Sequence, residues 1–206
     1  MKKVLVSILA VVAAITASQA QFRPGIKAGA NQVNQRVNAS QGSLYAGSHT
    51  TGYHAGLIGD IPLTGNFYLQ PQLLWSQRGA THYHSTEEGS TQIKIHYIDA
   101  PVNIVYKAPL SFGKLFAGAG GAFSYAVAGH QKQNGQKQNL FNSNNWKHED
   151  ISLSFTAGLE FNNGLFVSMN SQKGLFNLSK AEGVSVKSKS ASISVGYFIE
   201  WKKNKK

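Results

Sequence analysis

The sequence predicts an all-β fold: an eight-stranded antiparallel up-and-down barrel that spans a membrane with its strands. Three observations carry this. A two-residue alternation of apolar and polar residues recurs eight times along the chain, long polar connections alternate with short ones, and charged residues make up only 14% while glycine and aromatic residues are plentiful. A soluble domain would carry about 25% charge. There is no cysteine, which excludes a disulfide framework, a thiolate metal site and a lipoprotein cysteine after the leader.

At the N-terminus, Lys2 and Lys3 precede an apolar run from Val4 to Ala17, and Ser18-Gln19-Ala20 offers small residues at the positions a signal peptidase reads. This is the pattern of a signal peptide over residues 1–20, with the mature chain starting at Gln21. An uncleaved spanning helix needs about 20 apolar residues, more than this run supplies. The expected domains are therefore the leader (1–20), a barrel domain (21–201) and a basic tail (202–206).

The strands follow in order: Ile26–Asn31, Tyr53–Ile61, Phe67–Ser76, Ile93–Tyr106, Leu115–Tyr125, Ile151–Phe161, Leu165–Asn170 and Ser190–Trp201. The sixth has the cleanest pattern. From Ile151 to Phe161 every odd position is apolar or Ala and every even one is Ser, Thr, Gly or Glu, so one face is apolar and the other polar. Asn162-Asn163-Gly164 then supplies residues that tolerate positive φ before alternation resumes at Leu165, Val167 and Met169, a hairpin with a tight turn. In the third strand Phe67, Leu69, Pro71, Leu73 and Trp75 oppose Tyr68, Gln70, Gln72 and Ser76, with Leu74 the exception. In the eighth, Ala191, Ile193, Val195, Tyr197 and Ile199 oppose Ser190, Ser192, Ser194 and Glu200. In the fourth, apolar parity switches between Tyr97 and Ile98, the signature of a bulge or of a segment running past the apolar band.

Segments 32–52, 77–92, 126–150 and 171–189 are long and polar, whereas 62–66, 107–114 and 162–164 are short. An up-and-down barrel produces this alternation when long loops leave the extracellular rim and turns occupy the periplasmic one. A soluble ligand-binding barrel would show a solvent face rich in Lys and Glu. Here the face opposite the apolar one holds Lys27, Gly29, Asn31, His54, Asp60, Gln70, Gln72, Asp99, Asn103, Ser152, Thr156, Glu160, Ser168, Ser192 and Glu200, a set suited to a narrow polar lumen. Aromatic residues gather at strand ends, with Tyr53, Trp75, Tyr97, Tyr125 and Trp146 toward the long loops and Phe67, Tyr106, Phe161, Tyr197 and Trp201 toward the turns. Two such girdles mark a barrel in a bilayer, so the apolar face meets lipid.

The segments FRPGIKAGANQVN, GYHAGLIGDIPL, FYLQPQLLWSQRG, HYIDAPVNIVYK, KLFAGAGGAFSYAV and SASISVGYFI, in this order and spacing, resemble the PorT-like family of small outer-membrane β-barrel proteins. The resemblance implies an eight-stranded barrel in the outer membrane of a Gram-negative cell, in a family whose namesake belongs to a protein-secretion apparatus. One departure is that Phe198 and Trp201 are followed by Lys202, Lys203, Asn204, Lys205 and Lys206, which leaves the aromatic end of the last strand internal.

Candidate chemistry is sparse. His82, Tyr83 and His84 with Glu87 and Glu88 are ligand types suited to zinc or nickel, but seven histidines scattered over the chain favour a solvated loop, so no metal or other cofactor is expected. A lipid-modifying hydrolase needs a Ser activated by an oriented His; His84 with Ser85, or His54 with an unidentified partner, are the available residues, and no nucleophile elbow is present. The formal charge of +11 falls to +9 without Lys2 and Lys3, and four more positive charges sit in the last five residues, leaving about +5 on the barrel and loops. No basic face with interleaved aromatics points to nucleic acid. Outer-membrane lipid and lipopolysaccharide are the expected surface contacts, with loop lysines such as Lys132, Lys137, Lys147, Lys173, Lys180 and Lys187 as candidates for their phosphates, although a solvated loop is the stronger reading of those lysines.

The expected function is a structural or surface-interaction module, in adhesion or as a secretion accessory, without enzymatic activity or an open pore. Its protein partner, extracellular or periplasmic, is unidentified. The alternatives are a lipid-modifying hydrolase and a small channel. Inside the barrel, Lys27 is expected to pair with Glu200, with Glu160 or Asp60 as secondary partners, because all four share lumen parity in the half nearest the short turns.

Overall fold

The computed structural model describes residues 22–39, 45–46, 50–83, 90–133, 136–139, 148–175 and 184–199. Eight long strands run in sequence: β1 (Arg23–Ala39), β2 (Thr50–Thr64), β3 (Phe67–Tyr83), β4 (Ser90–Leu110), β5 (Gly113–Gln133), β6 (Glu149–Phe161), β7 (Leu165–Gly174) and β8 (Val184–Phe198). Each pairs antiparallel with the next, and β1 pairs with β8 from Gly25↔Phe198 to Ala39↔Val184, which closes the barrel. Two short strands, Tyr45–Ala46 and Gln136–Asn139, add to the long-loop ends of β1 and β5.

The alternation read from the sequence is the alternation of surface and interior. Along β6, Ile151, Leu153 and Phe155 are 45, 42 and 50% exposed, while Ser152, Ser154 and Thr156 between them are 4, 3 and 6% exposed. The exposed side of the barrel carries Ile26, Leu57, Leu73, Ile104, Leu115, Val127, Val167 and Val195. Such a continuous apolar surface belongs in lipid. The apolar stretch of β6 matches the roughly 9–11 residues that a tilted strand needs to cross a bilayer. Aromatic contacts ring the band near both ends: Tyr53 meets Trp75 at a centroid distance of 5.5 Å on the long-loop side, and Phe67 meets Tyr106 at 5.2 Å on the turn side.

The tight turns sit where the sequence placed them. Gly164 has φ of 87° and Gly65 of 54°, the left-handed region that glycine enters without steric cost. The strands, however, are longer than the apolar patterns. Strand β1 continues from Asn31 to Ala39, and β5 from Tyr125 to Gln133, because backbone pairing goes on past the bilayer, where no apolar face is required and the alternation fades. The Gln/Asn-rich segment after Tyr125 thus contributes strand, to Gln133 and again over Gln136–Asn139.

The fourth segment needs correcting. Its register does shift, with His96 opposite Ala128 and Tyr97 opposite Ala126, but the extra residue is Val127 on β5. Strand β4 keeps one parity: Ile95 is buried, and Tyr97 turns inward under the Arg78 guanidinium, whose Cζ lies 4.7 Å from the ring centroid. Tyr97 therefore leaves the girdle, and His96, facing outward, stacks on Trp75 at 5.0 Å. The expected leader at 1–20, the tail at 202–206, Trp146, Trp201, Glu200, and the candidate residues His84, Ser85, Glu87 and Glu88 lie outside the described residues.

If the outward face contacts lipid at mid-bilayer, Phe155→Arg costs about 2–4 kcal/mol, whereas Phe112→Arg, in the turn between β4 and β5, costs about 0–1 kcal/mol. Equilibrium unfolding in phospholipid vesicles reads the difference, and equal costs would place Phe155 outside the bilayer core.

Candidate functional site

The chemistry of the chain is concentrated in the lumen, because inward positions are the only ones near mid-barrel where polar groups escape lipid. In the half nearest the short turns, four charges form one cluster. The Lys107 ammonium donates to Asp60 Oδ2 at 2.7 Å and to Glu160 Oε2 at 2.6 Å. Arg23 Nη1 lies 2.8 Å from Glu160 Oε1 and 3.4 Å from Asp60 Oδ2, and Gln70 Nε2 donates to Asp60 Oδ1 at 3.0 Å. Two cations thus balance two carboxylates, and the cluster draws on β1, β2, β3, β4 and β6. Side-chain exposure is 1% at Lys107, 0% at Asp60 and 3% at Glu160, so these charges have little access to solvent.

An apolar layer lies against the cluster: Ile58, Val105, Phe116, Phe166 and Phe198. Phe198 and Tyr68 present ring faces to the Lys107 ammonium at 4.9 and 4.6 Å, within cation–π range. Each of the three phenylalanines sits directly across from a glycine, as Phe198↔Gly25, Phe166↔Gly196 and Phe116↔Gly158. A Cβ added at those glycines would lie 2.9, 2.2 and 2.6 Å from the respective ring. The missing side chains are what let the rings lie across the strands and fill a narrow lumen.

Toward the long loops the lumen is polar and less tightly filled. Arg78 Nη2 reaches Asp99 Oδ2 at 2.8 Å and donates to Gln172 Oε1 at 3.2 Å, and the Ser76 hydroxyl also donates to Asp99. The Lys27 ammonium donates to Gln72 Oε1 at 3.1 Å and Asn170 Oδ1 at 3.0 Å. His54 bridges Asn31 Oδ1 through Nδ1 and, at 2.9 Å, Ser194 Oγ through Nε2. With the Asn oxygen as acceptor, Nδ1 carries the proton and Nε2 accepts from the serine. Asn170 Nδ2 donates to the same serine oxygen at 3.2 Å. These groups surround or adjoin a cavity of about 30 Å³ lined by Lys27, His54, Arg78, Asp99 and Asn103 among others, room for a water-sized solute.

Of the lumen residues expected to pair, Asp60 and Glu160 meet in the cluster while Lys27, buried as its parity requires, sits apart. Lys27 lies opposite Gly56 and Gly196, whereas the residue opposite Asp60 is Arg23. The expected Lys27 contacts with Asp60 and Glu160 are therefore replaced by amide contacts, and Arg23 is the β1 cation that reaches the acids. Lys107 was readable: it shares parity with Asp99 and Asn103, both assigned to the lumen. It falls in a stretch that the alternation ends at Tyr106, so it passed for a turn residue. The Phe–Gly pairs were missed because an inward phenylalanine breaks the apolar-out rule.

A family model described as outer membrane protein beta-barrel domain matches residues 17–180, and the chain belongs to that family. It is an outer-membrane barrel. Among solved structures it is similar to OprG from Pseudomonas aeruginosa (12% identity, 87% of this chain and 96% of that one, TM-score 0.49) and to Neisserial surface protein A (12%, 84% and 97%, TM-score 0.48). It is also similar to the attachment invasion locus protein Ail of Yersinia pestis in complex with the heparin analogue sucrose octasulfate (16%, 86% and 99%, TM-score 0.45). No curated protein matches the chain.

Removing one partner of a buried ion cluster is far more costly than removing the whole cluster. Lys107→Met is expected to destabilise the barrel by roughly 3–5 kcal/mol, and adding Asp60→Asn, which leaves Arg23 paired with Glu160, to recover most of that loss. Urea unfolding in vesicles, followed by tryptophan fluorescence, measures both. A Lys107→Met loss below about 1 kcal/mol would mean the cluster sits at a wet rim.

Proposed function

We propose that this outer-membrane barrel is a closed scaffold whose work is done by the four long connections at one rim, as a surface-interaction module in adhesion or secretion rather than as a channel or an enzyme. The observation that carries this reading is the filled lumen: the Lys107 cluster and the phenylalanine layer occupy the half nearest the turns, and the cavity above them is about 30 Å³. An eight-stranded barrel is just wide enough for side chains to fill. With nothing passing through and the wall facing lipid, recognition falls to the connections between β1 and β2, β3 and β4, β5 and β6, and β7 and β8. These leave one rim, and we assign that rim to the cell exterior, as in other barrels with short periplasmic turns. Within its family the chain resembles the PorT-like proteins, which fits an accessory role without chemistry of its own.

A hydrolase reading has one observation in its favour, the Ser194–His54–Asn31 chain of contacts, which has the order of nucleophile, base and orienting group. Space opposes it. Ser194 is 1% exposed inside the barrel, and a 30 Å³ cavity admits neither an acyl chain nor a sugar.

Three measurements test these readings. In a planar bilayer the purified protein is expected to show no discrete conductance steps; reproducible steps would overturn the closed scaffold. On intact cells an epitope tag inserted after Asn139 is expected to bind antibody while one after Lys206 does not, and the reverse pattern would invert the orientation. A fluorophosphonate probe is expected to leave Ser194 unlabelled, and labelling lost in His54→Ala would install the hydrolase reading instead.

A further inference from the structure

On the outer wall, β7 and β8 set two lysines face to face. Lys173 and Lys189 are paired in register and both are exposed, which puts their Cβ atoms about 5 Å apart. Like charges directly opposite on one face are destabilising unless an anion lies between them. Among the described residues neither lysine forms an ion pair, and Glu149, exposed on β6 four residues beyond the Leu153 that faces Lys173, does not reach them. The register places two further basic residues close by, Arg36 opposite Lys187.

Directly toward mid-bilayer the wall is hollowed. The next rung runs Ser171, Ala191, Gln32 across β7, β8 and β1, and two of those side chains are as short as Ala or Ser. One rung further, Met169 and Ile193 stand out, 64 and 56% exposed. Together these residues line a groove of about 640 Å³. Successive same-face rungs are about 7 Å apart, so the wall reads, from the loop rim inward, as two ammonium groups, then hydroxyl and amide groups, then an apolar trough. A phosphate-bearing lipid has the same order along its length: phosphate, carbonyls of the acyl linkages, hydrocarbon.

We propose that the wall formed by β7, β8 and β1 holds one phosphate-bearing lipid of the leaflet at the long-loop rim. Lys173 and Lys189 grip its phosphate, Gln32 and Ser171 donate to its acyl-linkage carbonyls, and one acyl chain lies in the groove past Met169 and Ile193. A lipid held in this way lowers the mutual repulsion of the lysines and fills a concavity that mobile chains pack poorly.

The test is native mass spectrometry of the full chain in detergent, titrated with phosphatidylglycerol, with diacylglycerol of the same chains as the phosphate-free control. Wild type is expected to retain one phosphatidylglycerol and to bind diacylglycerol at least tenfold more weakly. Lys173→Ala with Lys189→Ala is expected to weaken phosphatidylglycerol binding about thirtyfold, from the contribution of two cations at a membrane surface. Lys94→Ala, at an exposed lysine of β4, should leave binding unchanged. Ala191→Trp fills the short-side-chain rung and keeps both lysines, and it should weaken binding severalfold; it also supplies the reading if the double variant fails to fold. Millimolar inorganic phosphate is expected not to displace the lipid. Binding in the double variant equal to wild type, equal affinity for diacylglycerol, or displacement by phosphate would each overturn the proposal. None of these outcomes depends on which rim faces the cell exterior, so they are separate from the antibody test of orientation.

Discussion

The pairing of β1 with β8 is the constraint from which the rest follows. In hydrocarbon an unpaired backbone N–H or C=O costs several kcal/mol, so a sheet that crosses a bilayer must have no free edge. The register Ile26↔Tyr197 through Asn31↔Ser192 satisfies both edges and at the same moment fixes two surfaces. Once the ring is closed, every residue is either outward or inward, and a slip of one residue between β1 and β8 would turn Lys27 and Asn31 toward lipid and Ile26 and Ala30 toward the lumen. The side-chain pattern thereby specifies the closure that the backbone demands.

Closure creates a second constraint inside. A lumen bounded by eight strands has room for side chains but little for water, so an inward charge must meet a counter-charge across the barrel or, as at Lys27, amide oxygens. Lys107 does this by touching Asp60 on β2 and Glu160 on β6 at once, which ties strands on opposite sides of the sequence into one cross-section. The phenylalanine rings do the same with volume in place of charge. Lying across Gly25, Gly158 and Gly196, they cover backbone that would otherwise be bare. Ion cluster and rings occupy the same half, which makes that half the more densely filled plug, while the half toward the long loops is built from amides, hydroxyls, Lys27, His54 and the Arg78–Asp99 pair.

The fold was legible because lipid imposes a rule that a one-dimensional pattern can carry: apolar out, polar or small in, period two. That rule marked Ile151 to Phe161 correctly, residue by residue, and set Asn31, His54, Gln72 and Asn103 in the lumen. It fell silent where its cause ends. Past the bilayer both faces of a strand are wet, so the extensions of β1 to Ala39 and β5 to Gln133 left no alternation to read. Inside the barrel the rule speaks of polarity and not of partners, which is why Asp60 and Glu160 were placed in the lumen while the identity of their cations was missed. Height along the axis depends on register, and Arg23, not Lys27, stands opposite Asp60. Inward Ile95 and Tyr97 read as a parity error for a related reason: the lumen accepts apolar side chains wherever it is to be filled.

The two halves of the barrel therefore have different freedoms. In the turn half, a change at Lys107, Glu160 or Phe198 disturbs a packed and charge-balanced interior, and the segments joining strands there are short, so little can vary without loss of the plug. In the loop half, the lumen groups hold one another through the Arg78–Asp99 pair and through hydrogen bonds of Lys27, His54, amides and hydroxyls around a small cavity, the strands run on beyond the lipid, and the connections are long and polar. Parts that can change while the scaffold stands lie at the surface. In this chain those parts are the long connections and the outward wall just beneath them, where Lys173 and Lys189 face each other at the edge of the apolar band.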